Sequence, residues 1–193
     1  MEQIAIFASG TGSNAKAIIQ YFNGHDSIKV NCLLSNKPSA KALEMAASFG
    51  IDSKVISQAE LEQPNLLIDY LKDRAISLIV LAGYLKKIPA RMVEAFPNAI
   101  INIHPALLPD FGGKGMYGMH VHQAVVDAGV GKSGMTIHYV NEVYDDGGII
   151  FQASVDLEET DQAADVAKKV LTLEHKHYPE VIEQLLLKRS QQL

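Results

Sequence analysis

The 193-residue sequence has one cysteine, no excess of basic residues and no long apolar run. A lone cysteine, Cys32, forms no internal disulfide, so nothing in the sequence requires an oxidising compartment. Lysine and arginine total 17 against 22 acidic residues, a net charge of −5, whereas nucleic-acid binders usually carry a basic surface. No apolar run approaches the roughly 20 residues of a membrane helix, and no basic signal-peptide start is present. We therefore expect a cytoplasmic protein that binds neither nucleic acid nor membrane.

Short apolar runs alternate with helix-period segments over the first 104 residues. The predicted strands lie at residues 3–8, 28–35, 53–56, 76–81 and 99–103. The predicted helices lie between them, at residues 14–22, 40–49, 65–74 and 89–95. This alternation predicts an α/β fold with a mainly parallel, Rossmann-like sheet and helices on both faces. The length and the uniform composition favour a single domain over residues 1–193, with monomer and homodimer both open.

The pattern changes after residue 104. Residues 105–119 contain two prolines and four glycines, which predicts a long loop of the kind that is often functional. A helix is predicted at about 120–128, and the strands predicted at 134–140 and 149–155 are too close for a crossover helix. We therefore expect an antiparallel hairpin at the sheet edge. The last helix is predicted from about residue 161, with a break near Pro179.

A glycine-rich segment, Gly10–Ala15, fits the pattern G-x-G-x-x-A between a predicted strand and helix. Glycines permit close approach of the backbone to a ligand, and a helix N-terminus favours an anion. A dinucleotide site would also have an acidic residue after the second strand, where this sequence has Ser35, Asn36 and Lys37. The pattern favours a phosphate on a smaller ligand, while a dinucleotide and a purely structural turn stay open.

Two further segments contain groups suited to chemistry. Asn102 and His104 are two residues apart at a predicted strand end, so they project to the same face, where α/β sheets bind ligands. An amide that donates to an oxyanion beside an imidazole that moves a proton suits acyl or formyl transfer. A histidine satisfied by backbone is the structural alternative. Asp145 and Asp146 precede two glycines, a pattern that by itself is typical of a solvated turn.

Together, these segments resemble the phosphoribosylglycinamide formyltransferase family. The resemblance rests on GTGSN at 10–14, NIHPALLP at 102–109 and DDGGII at 145–150, and it extends from Ile4 to about Leu187. It implies transfer of a formyl group from 10-formyltetrahydrofolate, a co-substrate, to the amine of glycinamide ribonucleotide in purine biosynthesis. It implies small-molecule substrates and no metal.

The resemblance also implies roles for individual residues. Asn102 and His104 would hold and polarise the formyl group, and Asp145 would orient His104. Asp145 lies seven residues after His138, and this spacing selects it over Asp146. The substrate phosphate is assigned to Gly12, Ser13 and Asn14. The glycinamide portion is assigned to Glu174. The folate cleft is assigned to four others: Tyr84, Leu85, Val140 and Tyr144. The sequence departs from the usual family pattern at residues 85–88, 106 and 111–119.

Several alternatives stay open at this point. His138 could have a structural role or face the site. The pair Lys86-Lys87 could be solvated or could attract the carboxylates of the folate. A methionyl-tRNA formyltransferase would carry a basic C-terminal domain. A nicotinamide-dependent dehydrogenase would have an acidic residue after the second strand, which this sequence lacks. A non-catalytic nucleotide- or folate-binding module would not need Asn102, His104 and Asp145 together.

Overall fold

The computed structural model describes residues 1–190, in which seven strands and seven helices alternate along most of the chain. The strands are β1 Glu2–Phe7, β2 Ile28–Ser35, β3 Asp52–Val55, β4 Ile76–Leu81, β5 Ile100–His104, β6 Lys132–Tyr139 and β7 Ile149–Asp156. The helices are α1 Ser13–Tyr21, α2 Lys41–Ser48, α3 Gln58–Glu62, α4 Asn65–Asp73, α5 Ala90–Ala95, α6 Met119–Asp127 and α7 Ala163–Ser190.

All seven strands belong to one sheet in the order β3-β2-β1-β4-β5-β6-β7. The first five strands pair in parallel, whereas β5 with β6 and β6 with β7 pair antiparallel. The predicted α/β fold with an antiparallel C-terminal hairpin is therefore confirmed. The strand order reverses beside β1, and such a switch point opens a crevice at the carboxyl ends of the neighbouring strands.

The sheet is covered on both faces, which explains its continuous apolar strands. In β1, Ile4 and Ile6 pack into one hydrophobic cluster, with α1 and α7. Ala5 and Phe7 alternate with them and pack into the other cluster, with α4 and α5. Because successive side chains point to opposite faces, one short strand supports both cores.

The structure differs from the predicted elements in two places. Helix α3 was not predicted, because it has five residues and no buried side chain, and it begins with a capping box at Ser57. The predicted break at Pro179 is wrong, since α7 continues through it. Proline costs a helix roughly 3 kcal/mol. Tyr178, Val181 and Ile182 are all buried beside it, each contributing roughly 1.5–3 kcal/mol, so packing outweighs that cost.

Within the described part of the chain, no helix is both long and apolar enough to cross a membrane.

Candidate active site

A cavity of about 600 Å³ lies at the carboxyl ends of β4 and β5. Its wall combines these strand ends with residues from α1, α6 and α7 and with the segment between β6 and β7. Residues 113–118, from the loop predicted to be functional, supply another side. The cavity therefore lies where the strand order predicts a ligand to bind.

His104 ends β5 and is 3% exposed. Its Nε2 lies 2.8 Å from the backbone oxygen of Phe111, and because a carbonyl oxygen only accepts, Nε2 donates its proton there. Its Nδ1 faces Asp145, with Oδ2 at 3.5 Å. The backbone N–H of Gly113 donates to the same carboxylate oxygen at 3.0 Å. The loop thus holds both the ring and the carboxylate in place.

Burial lowers the pKa of the His104 ring, while Asp145 and the Phe111 carbonyl favour its charged form and oppose that shift. Burial alone would raise the pKa of Asp145, but the adjacent His138 and His104 rings, when charged, and the Gly113 N–H lower it below its usual value. Near pH 7 the pair is therefore a neutral ring beside a carboxylate. A proton arriving at Nδ1 would be stabilised by Asp145.

Asn102 and His138 form the second half of this polar cluster. The two residues are paired directly across β5 and β6, and the Asn102 amide Nδ2 lies 3.1 Å from His138 Nε2. Nδ1 of His138 lies 2.8 Å from the carbonyl oxygen of Tyr139, so the proton resides on Nδ1 and Nε2 accepts from Asn102. The same Nε2 lies 3.6 Å from Asp145 Oδ1. His138 therefore faces the site and lies between Asn102 and Asp145.

The two adjacent acidic residues have different surroundings. Asp145 is partly buried against His104 and His138, whereas Asp146 is exposed and accepts a hydrogen bond from Asn141 at 3.2 Å. Asp145 has a positive φ of 54°, a conformation that aspartate tolerates better than most residues. The structure thus brings Asp145, and not Asp146, to His104.

The glycine loop leads into α1 beside the cavity. Gly12 is the N-cap residue, and Ser13 and Asn14 begin the helix, where backbone N–H groups are free of helical partners. The Asn14 amide donates to Glu174 Oε2 at 2.7 Å. Of these four residues, Asn14 and Glu174 contribute to the cavity wall, whereas Gly12 and Ser13 lie outside it. Gly12 also has a packing role, because a Cβ there would lie 2.8 Å from that of Ala42.

Four residues predicted to bind folate line the same cavity: Tyr84, Leu85, Val140 and Tyr144. Tyr84 is buried and packs edge-on against Phe7, with ring centroids 5.3 Å apart. Leu85 and Tyr144 are exposed large apolar side chains. Lys87 Nζ lies 6.0 Å from the Tyr144 ring centroid. These residues form an apolar wall with positive charge at its rim.

The Formyl transferase family model matches residues 2–182 of this sequence.

The chain belongs to the formyl transferase family.

Several named proteins and solved structures are similar to this chain. It is 37% identical to phosphoribosylglycinamide formyltransferase of Bacillus subtilis over 96% of this chain and 95% of that protein. It is 44% identical to the chloroplastic phosphoribosylglycinamide formyltransferase of Arabidopsis thaliana, but spans only 64% of that protein's length. It spans 62% of the length of the corresponding protein of Vigna unguiculata. Glycinamide ribonucleotide transformylase 1 from Geobacillus kaustophilus superposes with a TM-score of 0.88 at 34% identity, covering 96% of this chain and 99% of that one.

Two backbone groups that hold the polar cluster were not predicted from the sequence. The Phe111 carbonyl and the Gly113 N–H come from a loop with unusual conformations, since Phe111 has a φ of 55° and Gly113 a φ of 97°. No side-chain signal in the sequence marks such groups. The facing position of His138 was recoverable, because pairing β5 with β6 places it opposite Asn102.

We expect Gly12→Ala to destabilise the fold by roughly 1–3 kcal/mol, since the added Cβ is strained and crowded. Gly12 has a φ of 81° and approaches the Ala42 backbone as well as its side chain. Gly10→Ala is the matched control, because its Cβ would meet nothing within 4 Å. Urea unfolding of both variants measures the difference, and equal free energies of unfolding would contradict this role for Gly12.

We expect Glu174→Gln to become increasingly more stable than the unaltered protein as the pH rises. Glu174 is 7% exposed, and burial raises its pKa, with the Asn14 hydrogen bond partly opposing the shift. A carboxyl group whose pKa is higher in the folded than in the unfolded state stabilises the fold at low pH. That stabilisation is lost as the pH rises through the pKa of the folded state. Glutamine keeps an acceptor for Asn14 without this loss.

Thermal unfolding at about pH 5 and about pH 8 tests this, with an expected gain of a few degrees at the higher pH. The exposed Glu94→Gln on α5 is the control. A pH-independent difference for Glu174→Gln would show that ionisation of this side chain does not oppose folding.

Proposed function

We propose that this formyl transferase moves the formyl group of 10-formyltetrahydrofolate to the amine of glycinamide ribonucleotide. The observation that carries the proposal is the polar cluster of Asn102, His104, His138 and Asp145 at the wall of one large cavity. An amide donor, an imidazole and a carboxylate meet there, as acyl transfer requires. The named relatives of similar length support the same activity.

The reaction forms one C–N bond and breaks another. The neutral amine attacks the formyl carbon, and the carbonyl oxygen becomes an oxyanion that the free N–H of the Asn102 amide stabilises. The amine then loses a proton, and N10 of the folate gains one as its bond to the formyl carbon breaks. His104 mediates this transfer through Nδ1, and Asp145 stabilises the ring while it is charged. The products are formylglycinamide ribonucleotide and tetrahydrofolate.

The two substrates occupy different regions in this proposal, and the phosphate of the ribonucleotide extends beyond the cavity. The phosphate binds at the start of α1, where the N–H groups of Gly12, Ser13 and Asn14 favour an anion. Glu174, in the cavity wall, binds the glycinamide portion. The folate lies along the apolar wall formed by Tyr84, Leu85, Val140 and Tyr144.

The folate is a co-substrate, and the oxyanion and the proton both have protein groups to receive them, so we propose a reaction without a metal. We propose a single domain that acts in the cytoplasm on small molecules, as a monomer or homodimer, and not on nucleic acid.

A substrate panel distinguishes this proposal from its rivals. The protein is incubated with 10-formyltetrahydrofolate and either glycinamide ribonucleotide or methionyl-tRNA, and the formylated product is measured. We expect formylation of the ribonucleotide alone. Formylation of the tRNA would favour the other transferase, and binding of both small molecules without a product would favour a non-catalytic module.

A further inference from the structure

His122 is a buried histidine that the proposed mechanism does not use. It lies on α6, is 6% exposed and forms part of the cavity wall. Its Nδ1 is closed to solvent and has no hydrogen-bond partner within residues 1–190. Buried polar atoms in native proteins are nearly always paired, so an unpaired nitrogen bears on which ring nitrogen holds the proton.

The surroundings of His122 keep its ring uncharged. Burial lowers the pKa of His122, and the nearby His104 lowers it further when charged. A neutral imidazole has a proton on one nitrogen only. An enclosed N–H without an acceptor is rarer and more costly than an enclosed lone pair. The enclosed Nδ1 therefore has the lone pair, and Nε2 has the proton.

We infer that His122 is a substrate-orienting residue whose Nε2–H donates to the carbonyl oxygen of the glycinamide group. This inference rests on the proposed function. The ring meets the cavity through its Nε2 edge, because Nδ1 is enclosed. Helix α6 packs against α7, which supplies Glu174 to the same cavity. The carbonyl oxygen is an uncharged acceptor on the amine-bearing substrate, which suits an uncharged donor.

This contact fixes the direction of attack. The carbonyl oxygen and the amine of glycinamide are separated by two carbon atoms, so holding the oxygen limits where the amine lone pair can point. His104 and His122 line the same cavity, so an amine held through the neighbouring carbonyl can be presented to the group that handles its proton. A misplaced amine would reduce turnover as well as binding.

Three substitutions separate this contact from a packing role. His122→Leu retains an apolar side chain of comparable length but has no donor, whereas His122→Gln places an amide near the position of Nε2 and His122→Asn near that of Nδ1. We expect the dissociation constant for glycinamide ribonucleotide to rise about tenfold in the Leu and Asn variants, the effect of one lost hydrogen bond. We expect a rise of less than about threefold in His122→Gln.

Isothermal titration calorimetry with glycinamide ribonucleotide and, separately, with tetrahydrofolate measures these effects. Tetrahydrofolate affinity should stay within about twofold in every variant, since the lost contact concerns only the other substrate. His120→Leu is the control, because His120 is exposed on the same helix. Unchanged ribonucleotide binding in His122→Leu, or an equal loss for both ligands, would overturn the assignment.

The tautomer is measured in the unaltered protein, which avoids any folding defect of a variant. Long-range ¹H–¹⁵N correlation spectra should show the Nε2–H form of His122, with that proton shifting when glycinamide ribonucleotide binds. A Nδ1–H tautomer would contradict the inference. Absence of formyl transfer by the unaltered protein would instead contradict the proposed function, so the two failures are distinguishable.

Discussion

Asn102→Ala and His104→Ala are each expected to lower kcat by at least about 10²-fold, with smaller changes in KM. The Asn102 amide is held by His138 at 3.1 Å, so its remaining N–H is oriented before the substrate arrives. The His104 ring is held from both sides, by the Phe111 carbonyl and by Asp145. Groups held in this way stabilise the developing oxyanion and the moving proton more than they stabilise the bound substrate.

Steady-state kinetics with each substrate varied in turn measures these changes, and thermal unfolding verifies that the variants are folded. His25→Ala is a suitable control, because His25 pairs with Glu183 away from the cavity. Near-normal turnover in a folded Asn102→Ala or His104→Ala protein would remove that residue from the mechanism.

The second large effect concerns the two adjacent acidic residues. Asp145→Asn should lower kcat by about 10²-fold or more, because it keeps the shape of the side chain but removes the charge that stabilises a protonated His104. Asp146→Asn should cost less than about threefold, since an exposed turn carboxylate contributes little. The two variants change the same chemical group at neighbouring positions, so each is a matched control for the other.

Measurement of kcat for both variants under saturating substrates decides between them. The reverse pattern, with a large loss in Asp146→Asn and a small one in Asp145→Asn, would assign the catalytic role to Asp146. Equal losses would instead indicate that the whole turn, rather than one carboxylate, supports His104.

Most of the sheet was predictable because strands buried on both faces have continuous apolar sequences. The segments around Ile4–Phe7 and Ile76–Leu81 are of this kind, and both form central strands. The hairpin of β6 and β7 was predictable from the short connection between them. Helix α3 and the continuity of α7 were not, because the first has no apolar face and the second depends on tertiary packing around Pro179.

The candidate site was predictable only in part. Asn102 and His104 could be placed together because a strand end projects alternate side chains to one face. The arrival of Asp145 beside His104, 41 positions further along the chain, came from the family resemblance and its spacing from His138, not from local pattern. The Phe111 carbonyl could not be predicted, since backbone groups leave no trace in the sequence.

The central claim is the transfer of a formyl group between two small molecules in this cavity. A single-turnover experiment tests it most directly: excess protein is mixed with limiting 10-formyltetrahydrofolate bearing a ¹³C-labelled formyl carbon, with glycinamide ribonucleotide present. We expect the label to appear in formylglycinamide ribonucleotide, with one tetrahydrofolate released for each label transferred. Label that stays on the folate, or that appears as free formate without formylated ribonucleotide, would contradict it.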